Sequence, residues 1–301
     1  MVTLKSGLPR GVRESIAGYL FILPNVGGVL ILTILPVLFS LFISFTEWDL
    51  FSGINGFKFV GLKHYIGMWN DEWFTRSLLN NILYTFFTVP FTMLLAFILA
   101  LILNKHVFGK NMLRAFFFMP HMTNVATISI IWIALYNQYG PIRNFLIQTL
   151  GMQDVPVFMS DPRLAMPCLI IMGIWNELGY VMMFFISGLQ SIPGELYESA
   201  DIDGANGWQK IKNVTIPMLT PTTFFVLITT LILSFKVFGQ VNIMTQGGPL
   251  KATTVLVFYI YEAAFRLNEM SYASAMAWIL FVIIFVITYV QWQKQKNWVN
   301  Y

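Results

Sequence analysis

The chain has 301 residues, of which 57% are hydrophobic and only 11% charged, with a formal net charge of +4. Soluble domains carry about 25% charged residues, so this composition belongs in a bilayer rather than in water. The basic residues are scattered between apolar blocks with no basic run interleaved with aromatics, which argues against a nucleic-acid partner.

Lys5, Arg10 and Arg13 open the chain with positive charge, and the stretch from Ser15 to Thr46 then holds none. A signal-peptide core is only about 7–15 residues long, so the expectation is a retained membrane span rather than a cleaved leader. Crossing a hydrocarbon core about 30 Å thick takes about 20 apolar residues. Six stretches meet that length, at 19–45, 78–103, 113–136, 164–189, 219–241 and 271–292. Pro24, Pro36, Pro90, Pro120 and Pro167 fall inside them, which membrane helices tolerate when neighbours satisfy the freed backbone groups. The expected fold is all-α and polytopic, with about six transmembrane helices in one domain spanning 1–301.

The segments between spans set the orientation. With the N-terminus inside, the inner segments hold Lys5, Arg10, Arg13, Lys105, Lys110, Arg114, Lys210, Lys212, Lys294 and Lys296. The outer ones hold Lys58, Lys63, Arg76, Arg143, Arg163, Lys251 and Arg266, over longer loops. Basic density is therefore higher inside, and both termini are expected there. The outer loops at 46–77, 137–163 and 242–270 are long enough for short helices, and Trp48, Trp69 and Trp73 are expected to mark an interfacial segment.

Cys168 is the single cysteine, so neither an intrachain disulfide nor a thiolate metal site is expected. His64, His106 and His121 lie far apart without ligand spacing, and no metal is expected. Two charges fall inside spans, Glu177 in the fourth and Lys236 in the fifth. Counted at 1.5 Å per residue from the inner ends, their heights differ by about 5 Å. An isolated charge at mid-bilayer costs at least about 2.5–3.5 kcal/mol, so an ion pair is expected. One reading puts the pair on a translocation path with Trp175, Asn176, Tyr180, Gln240 and Asn242, a set offering the hydrogen bonds and flat aromatic faces that sugars need. The other reading is a structural lock between two helices.

The inner loop 191–217 reads SIPGELYESADIDGANGWQKIKNVTIP. Pro193 suits a helix start, and Glu195 and Glu198 suit its positive end. The run from Asp203 to Gly207 is turn material, and a second short helix over 208–214 leads to Pro217. The segment is thus a helix–turn–helix at the inner membrane surface. Glu198-Ser199-Ala200, three residues, Gly204, nine residues, and Val214-Thr215-Ile216-Pro217 resemble the EAA loop of binding-protein-dependent ABC importers, written E-A-A, three residues, G, nine residues, I-x-L-P. Ser199, Val214 and Ile216 depart from it conservatively, and the string from Glu198 to Ala205 resembles the carbohydrate-importer version. Further matches run in order: Phe59 to Leu62 with Tyr65, Phe74 and Asn80, Arg114, Pro120, Trp132, Gly140 and Asn144, Thr245 to Pro249, Thr254, Tyr259 to Tyr261, and Tyr272 to Ala275.

The resemblance implies a type I importer fold in a prokaryotic cytoplasmic membrane and a permease subunit for sugars, of oligosaccharide size. It implies a heterodimer with a second related permease, an extracellular solute-binding protein, and a cytoplasmic ABC ATPase dimer that uses ATP and Mg. That ATPase would dock on Glu198, Ser199, Ala200, Asp203, Gly204, Ala205 and Pro217. No cofactor is expected on this chain and no P-loop is present, because positions 104 and 111 around Gly109-Lys110 are both Asn. The alternatives are a permease for glycerol-3-phosphate or another small polar solute, and an ion-gradient-driven transporter. The latter would need more intramembrane carboxylates and inverted repeats.

Overall fold

A computed structural model describes residues 10–48, 53, 56–105 and 108–296. Lys5 and His106 lie outside the described residues, as do the side chains of Arg10 and Arg13.

Among the described residues, five helices are long and apolar enough to cross a membrane: Glu14–Ile43, Glu72–Asn104, Ala165–Gln190, Thr220–Met244 and Met270–Gln295. A sixth crossing is a bent pair, Lys110–Met122 and Val125–Gln148, whose axes meet at 99°. The single straight span expected at 113–136 is therefore corrected. Thr123 is extended (φ −84°, ψ 144°), and Asn124 restarts the helix by accepting the Ala126 N–H on Oδ1 at 2.8 Å. A short polar side chain at that position competes with continuation of the helix and favours a fresh start.

The fifth span is also interrupted. Its first part, Thr220–Phe235, ends at Lys236, and a short helix, Gly239–Met244, follows after an irregular step. Non-helical backbone at membrane depth persists only where protein or a cavity supplies partners. Here Asn81 of the second span supplies one: its Nδ2 donates to the Phe235 carbonyl at 3.3 Å, while its Oδ1 accepts the Leu256 N–H at 2.9 Å and so ties the start of the outer helix Leu256–Tyr261 to the same side chain.

The second and fourth spans form the centre of the packing. Ala96 and Ala100 are fully buried in a cluster with Val181, Phe185 and Leu189. Small residues let membrane helices approach closely, since lipid gives no hydrophobic drive for them to associate. Gly179 is the tightest crossing, where an added Cβ would lie 1.9 Å from the Phe117 carbonyl oxygen. The backbone of the bent third span thus rests directly on the fourth.

The outer face carries a two-stranded ribbon, Thr46–Glu47 against Lys58–Phe59, and the short helices Lys63–Gly67, Pro141–Gln148 and Leu256–Tyr261. Trp48 donates its ring N–H to the Gly53 carbonyl, and Trp73 stacks on Tyr259 while Lys251 Nζ sits over the Trp73 ring, 3.8 Å from its centre. Asp71 caps the second span through the Trp73 N–H and accepts Tyr259 Oη at 2.6 Å and Tyr272 Oη at 2.7 Å. Burial pushes the Asp71 carboxyl up, but hydrogen bonds from the two tyrosines and from the Trp73 and Phe74 N–H groups outweigh it and hold it below the ordinary carboxylate value. Asn80 Nδ2 donates to the carbonyls of Lys251 and Thr254, both at 2.9 Å, tying the last outer loop to the second span.

Candidate functional site: a polar cavity and an inner surface loop

A cavity of about 230 Å³ opens where the second, fourth and fifth spans meet the bend of the third. Asn176, Glu177 and Gln240 line it. Trp175, Tyr180, Lys236 and Asn242 are not among its lining residues. Tyr180 instead stacks on His121, with ring centres 4.3 Å apart, and Trp175 packs edge-on against Trp132.

The expected ion pair between Glu177 and Lys236 is not formed. Lys236 is exposed, because the helix ends there and its side chain leaves the cavity wall. The neighbour of Glu177 is His121, whose Nδ1 lies 3.5 Å from Oε2, delivered by the first half of the bent span. A sequence count of heights along two straight helices could not anticipate a histidine brought in by a bend.

Most of the cavity's polar wall was not singled out in the sequence. Tyr84, Thr88 and Thr92 descend the second span at intervals of four, which stacks them on one helix face. Thr230 and Ser234 repeat that spacing on the fifth. This i, i+4 rhythm of hydroxyls in apolar spans was the available signal. Gln240 Nε2 donates to Tyr84 Oη, and Ser234 Oγ donates to Thr85 Oγ1 at 3.0 Å, so part of the wall is internally satisfied. Thr88 Oγ1, Thr92 Oγ1, Asn176 Oδ1 and Glu177 Oε2 are buried without a hydrogen bond from the chain. Among the described residues, no lysine or arginine lines the cavity. The wall is therefore rich in uncommitted hydrogen-bonding groups and holds one carboxyl.

The loop at 191–217 folds as two short helical arms. The first, Gly194–Ile202, ends at Gly204, whose φ of +72° is open to glycine at no steric cost. Asn206 and Gln209 then form a reciprocal capping box, Gln209 N–H to Asn206 Oδ1 at 2.9 Å and Asn206 N–H to Gln209 Oε1 at 2.7 Å. The second arm runs on through Ile216–Met218 into the fifth span, longer than the expected 208–214. A Lys210–Asp201 ion pair and a Tyr197–Thr215 hydroxyl contact at 3.0 Å brace the arms against each other. Glu198, Ser199, Asp203 and Gly204 are exposed, and Ala200, Ala205 and Pro217 are half-buried. Beside them Ile202 is 88% exposed and Trp208 68%.

Residues 65–294 match the family described as binding-protein-dependent transport system inner membrane component. The chain is 30% identical over 301 residues to LacF, the lactose transport system permease protein of Rhizobium radiobacter, covering 98% of both chains. It is 30% identical over 289 residues to UgpA, the sn-glycerol-3-phosphate transport system permease protein of Agrobacterium fabrum, covering 96% of this chain and 97% of that one. Among solved structures, a chain of a bacterial alginate ABC transporter, crystallised in complex with an alginate pentasaccharide-bound periplasmic protein, superposes with a TM-score of 0.83. That likeness covers 97% of this chain and 98% of the other at 22% identity, and it shows the fold. With six crossings, an importer-permease fold and a family match over most of its length, the chain belongs to the binding-protein-dependent transport system inner membrane components, as a multi-pass permease subunit of the cytoplasmic membrane.

Proposed function

We propose that this permease imports a neutral sugar of oligosaccharide size and supplies half of the translocation path. The observation that carries the reading is the cavity wall, where hydroxyls, two amides and one carboxyl converge with no cation among them. Sugar hydroxyls both donate and accept, and such a wall answers both roles. The lactose system of the LacF relative supports the class. The UgpA relative raises glycerol-3-phosphate as a second substrate, but a phosphate would be matched by arginine or lysine, which this wall lacks.

In this reading the chain is one transmembrane domain paired with a second, related permease. An extracellular solute-binding protein delivers the sugar. A cytoplasmic ATPase dimer binds ATP and Mg and pushes on loop 191–217. The braced arms and the exposed Ile202 and Trp208 support a docking role, since a stiff, partly apolar surface transmits a rigid-body push. Glu198, Ser199, Ala200, Asp203, Gly204, Ala205 and Pro217 form or flank that surface.

The test is sugar uptake by the assembled transporter carrying Asn176→Ala, Glu177→Gln or Gln240→Ala. The two alanine changes remove a side-chain partner from the wall, and Glu177→Gln turns one acceptor oxygen into a donor; uptake at limiting sugar should fall by about tenfold in each. Wild-type uptake by all three inserted variants would remove the cavity from the path.

A further inference from the structure

A second concavity lies along the second and fourth spans and shares no lining residue with the polar cavity. It is a trough of about 590 Å³ walled by Phe87, Phe91, Ile171 and Ile174, with Arg76 and Arg163 at its outer end. Phe91 is 49% and Ile171 51% exposed, so the trough is open along its length. We propose that it holds one anionic phospholipid of the outer leaflet, with the headgroup phosphate between Arg76 and Arg163 and an acyl chain along Phe87, Phe91, Ile171 and Ile174.

Charge and length both match this occupant. No acidic side chain lines the trough, and neither arginine enters an ion pair among the described residues. The nearby Asp161 turns its Oδ1 back to the Arg163 backbone N–H at 2.8 Å. The guanidinium groups therefore stand free at the level where lipid phosphates lie, and guanidinium is a strong phosphate donor. Arg76 and Phe91 are 15 positions apart on one helix, about 22 Å at 1.5 Å per residue. One leaflet including its headgroup is about 20–22 Å thick, half of the full bilayer. The trough thus spans one leaflet, basic at the phosphate and apolar below it. A transmembrane helix from another subunit would fill the apolar part but give the two arginines no counter-charge.

The experiment is native mass spectrometry of the chain purified in mild detergent with its associated subunits, titrated with phosphatidylglycerol or phosphatidylcholine. One phosphatidylglycerol per copy should be retained in preference to phosphatidylcholine. Near a membrane surface each arginine accounts for about fivefold of such a preference, so Arg76→Gln with Arg163→Gln should reduce it about 25-fold. Ile171→Trp, which narrows the trough and leaves the arginines intact, should weaken retention of both lipids. Equal retention of the two lipids, or a preference unchanged in the double variant, would overturn the proposal. So would crosslinking of Ile171→Cys to another membrane subunit, a clean reporter because the native Cys168 is buried.

Discussion

Asn81 offers the sharpest test of how the end of helix Thr220–Phe235 and the start of helix Leu256–Tyr261 are both held to the second span. Its side chain is fully buried and bridges two backbone groups that no regular element satisfies, the Phe235 carbonyl and the Leu256 N–H. Asn81→Ala leaves the Leu256 N–H without a partner at a residue that is itself fully buried, at a cost of about 1–3 kcal/mol. The lost contact to Phe235, longer at 3.3 Å, and the small void left behind bring the total to about 2–4 kcal/mol. For a chain of this length the melting temperature of the purified protein should fall by about 3–6 °C. Asn81→Asp keeps an acceptor for Leu256 but turns a second oxygen toward the Phe235 carbonyl, so it should also lower the melting temperature. Melting of the Ala variant within about 1 °C of wild type would show that water or a shifted helix end replaces the side chain, and the account of the break would fail.

Three further outcomes follow from the geometry. Gly179→Ala sets a methyl 1.9 Å from the Phe117 carbonyl oxygen, where ordinary contact begins near 3.4 Å, so the third and fourth spans must part by about 1.5 Å. An overpacking cost of about 1–3 kcal/mol should appear as a lower melting temperature together with lost uptake; wild-type values of both would contradict the crossing. Gly204→Val forces a β-branched residue to φ +72°, straining the loop by about 1–2 kcal/mol without touching the spans. The variant should insert normally and hydrolyse ATP with its partners while taking up little sugar, and normal coupling would argue against a docking role. At the outer face, Asp71 is held below its ordinary value, so its contribution to stability is complete above the unfolded carboxylate value near pH 4 and is lost as pH falls through the folded one. The stability gap between wild type and Asp71→Asn should therefore be widest near neutrality and shrink below about pH 4. A gap independent of pH would refute the assignment.

Much of the architecture was legible in the chain itself. Crossing number follows from stretches of apolar residues measured against bilayer thickness, which is a local property and needs no knowledge of neighbours. Orientation follows from where Lys and Arg fall. The turn at Gly204 could be read in place from the Asp203–Gly207 run, because turns are short-range devices, whereas the equally local Asn206–Gln209 capping box was not singled out. Asn80 could be marked by resemblance, although its task of clamping Lys251 and Thr254 could not.

The cavity was decided by tertiary structure. Its wall is assembled from four segments separated by up to 156 positions, as the Tyr84–Gln240 bond illustrates. The partner of Glu177 depended on a 99° bend at Thr123 and Asn124 that swings His121 beside it, while the break after Phe235 takes Lys236 out to the surface. Periodicity and hydropathy describe straight helices one at a time. Which polar faces converge depends on where those helices break and cross, and that is settled by packing between residues far apart in the chain.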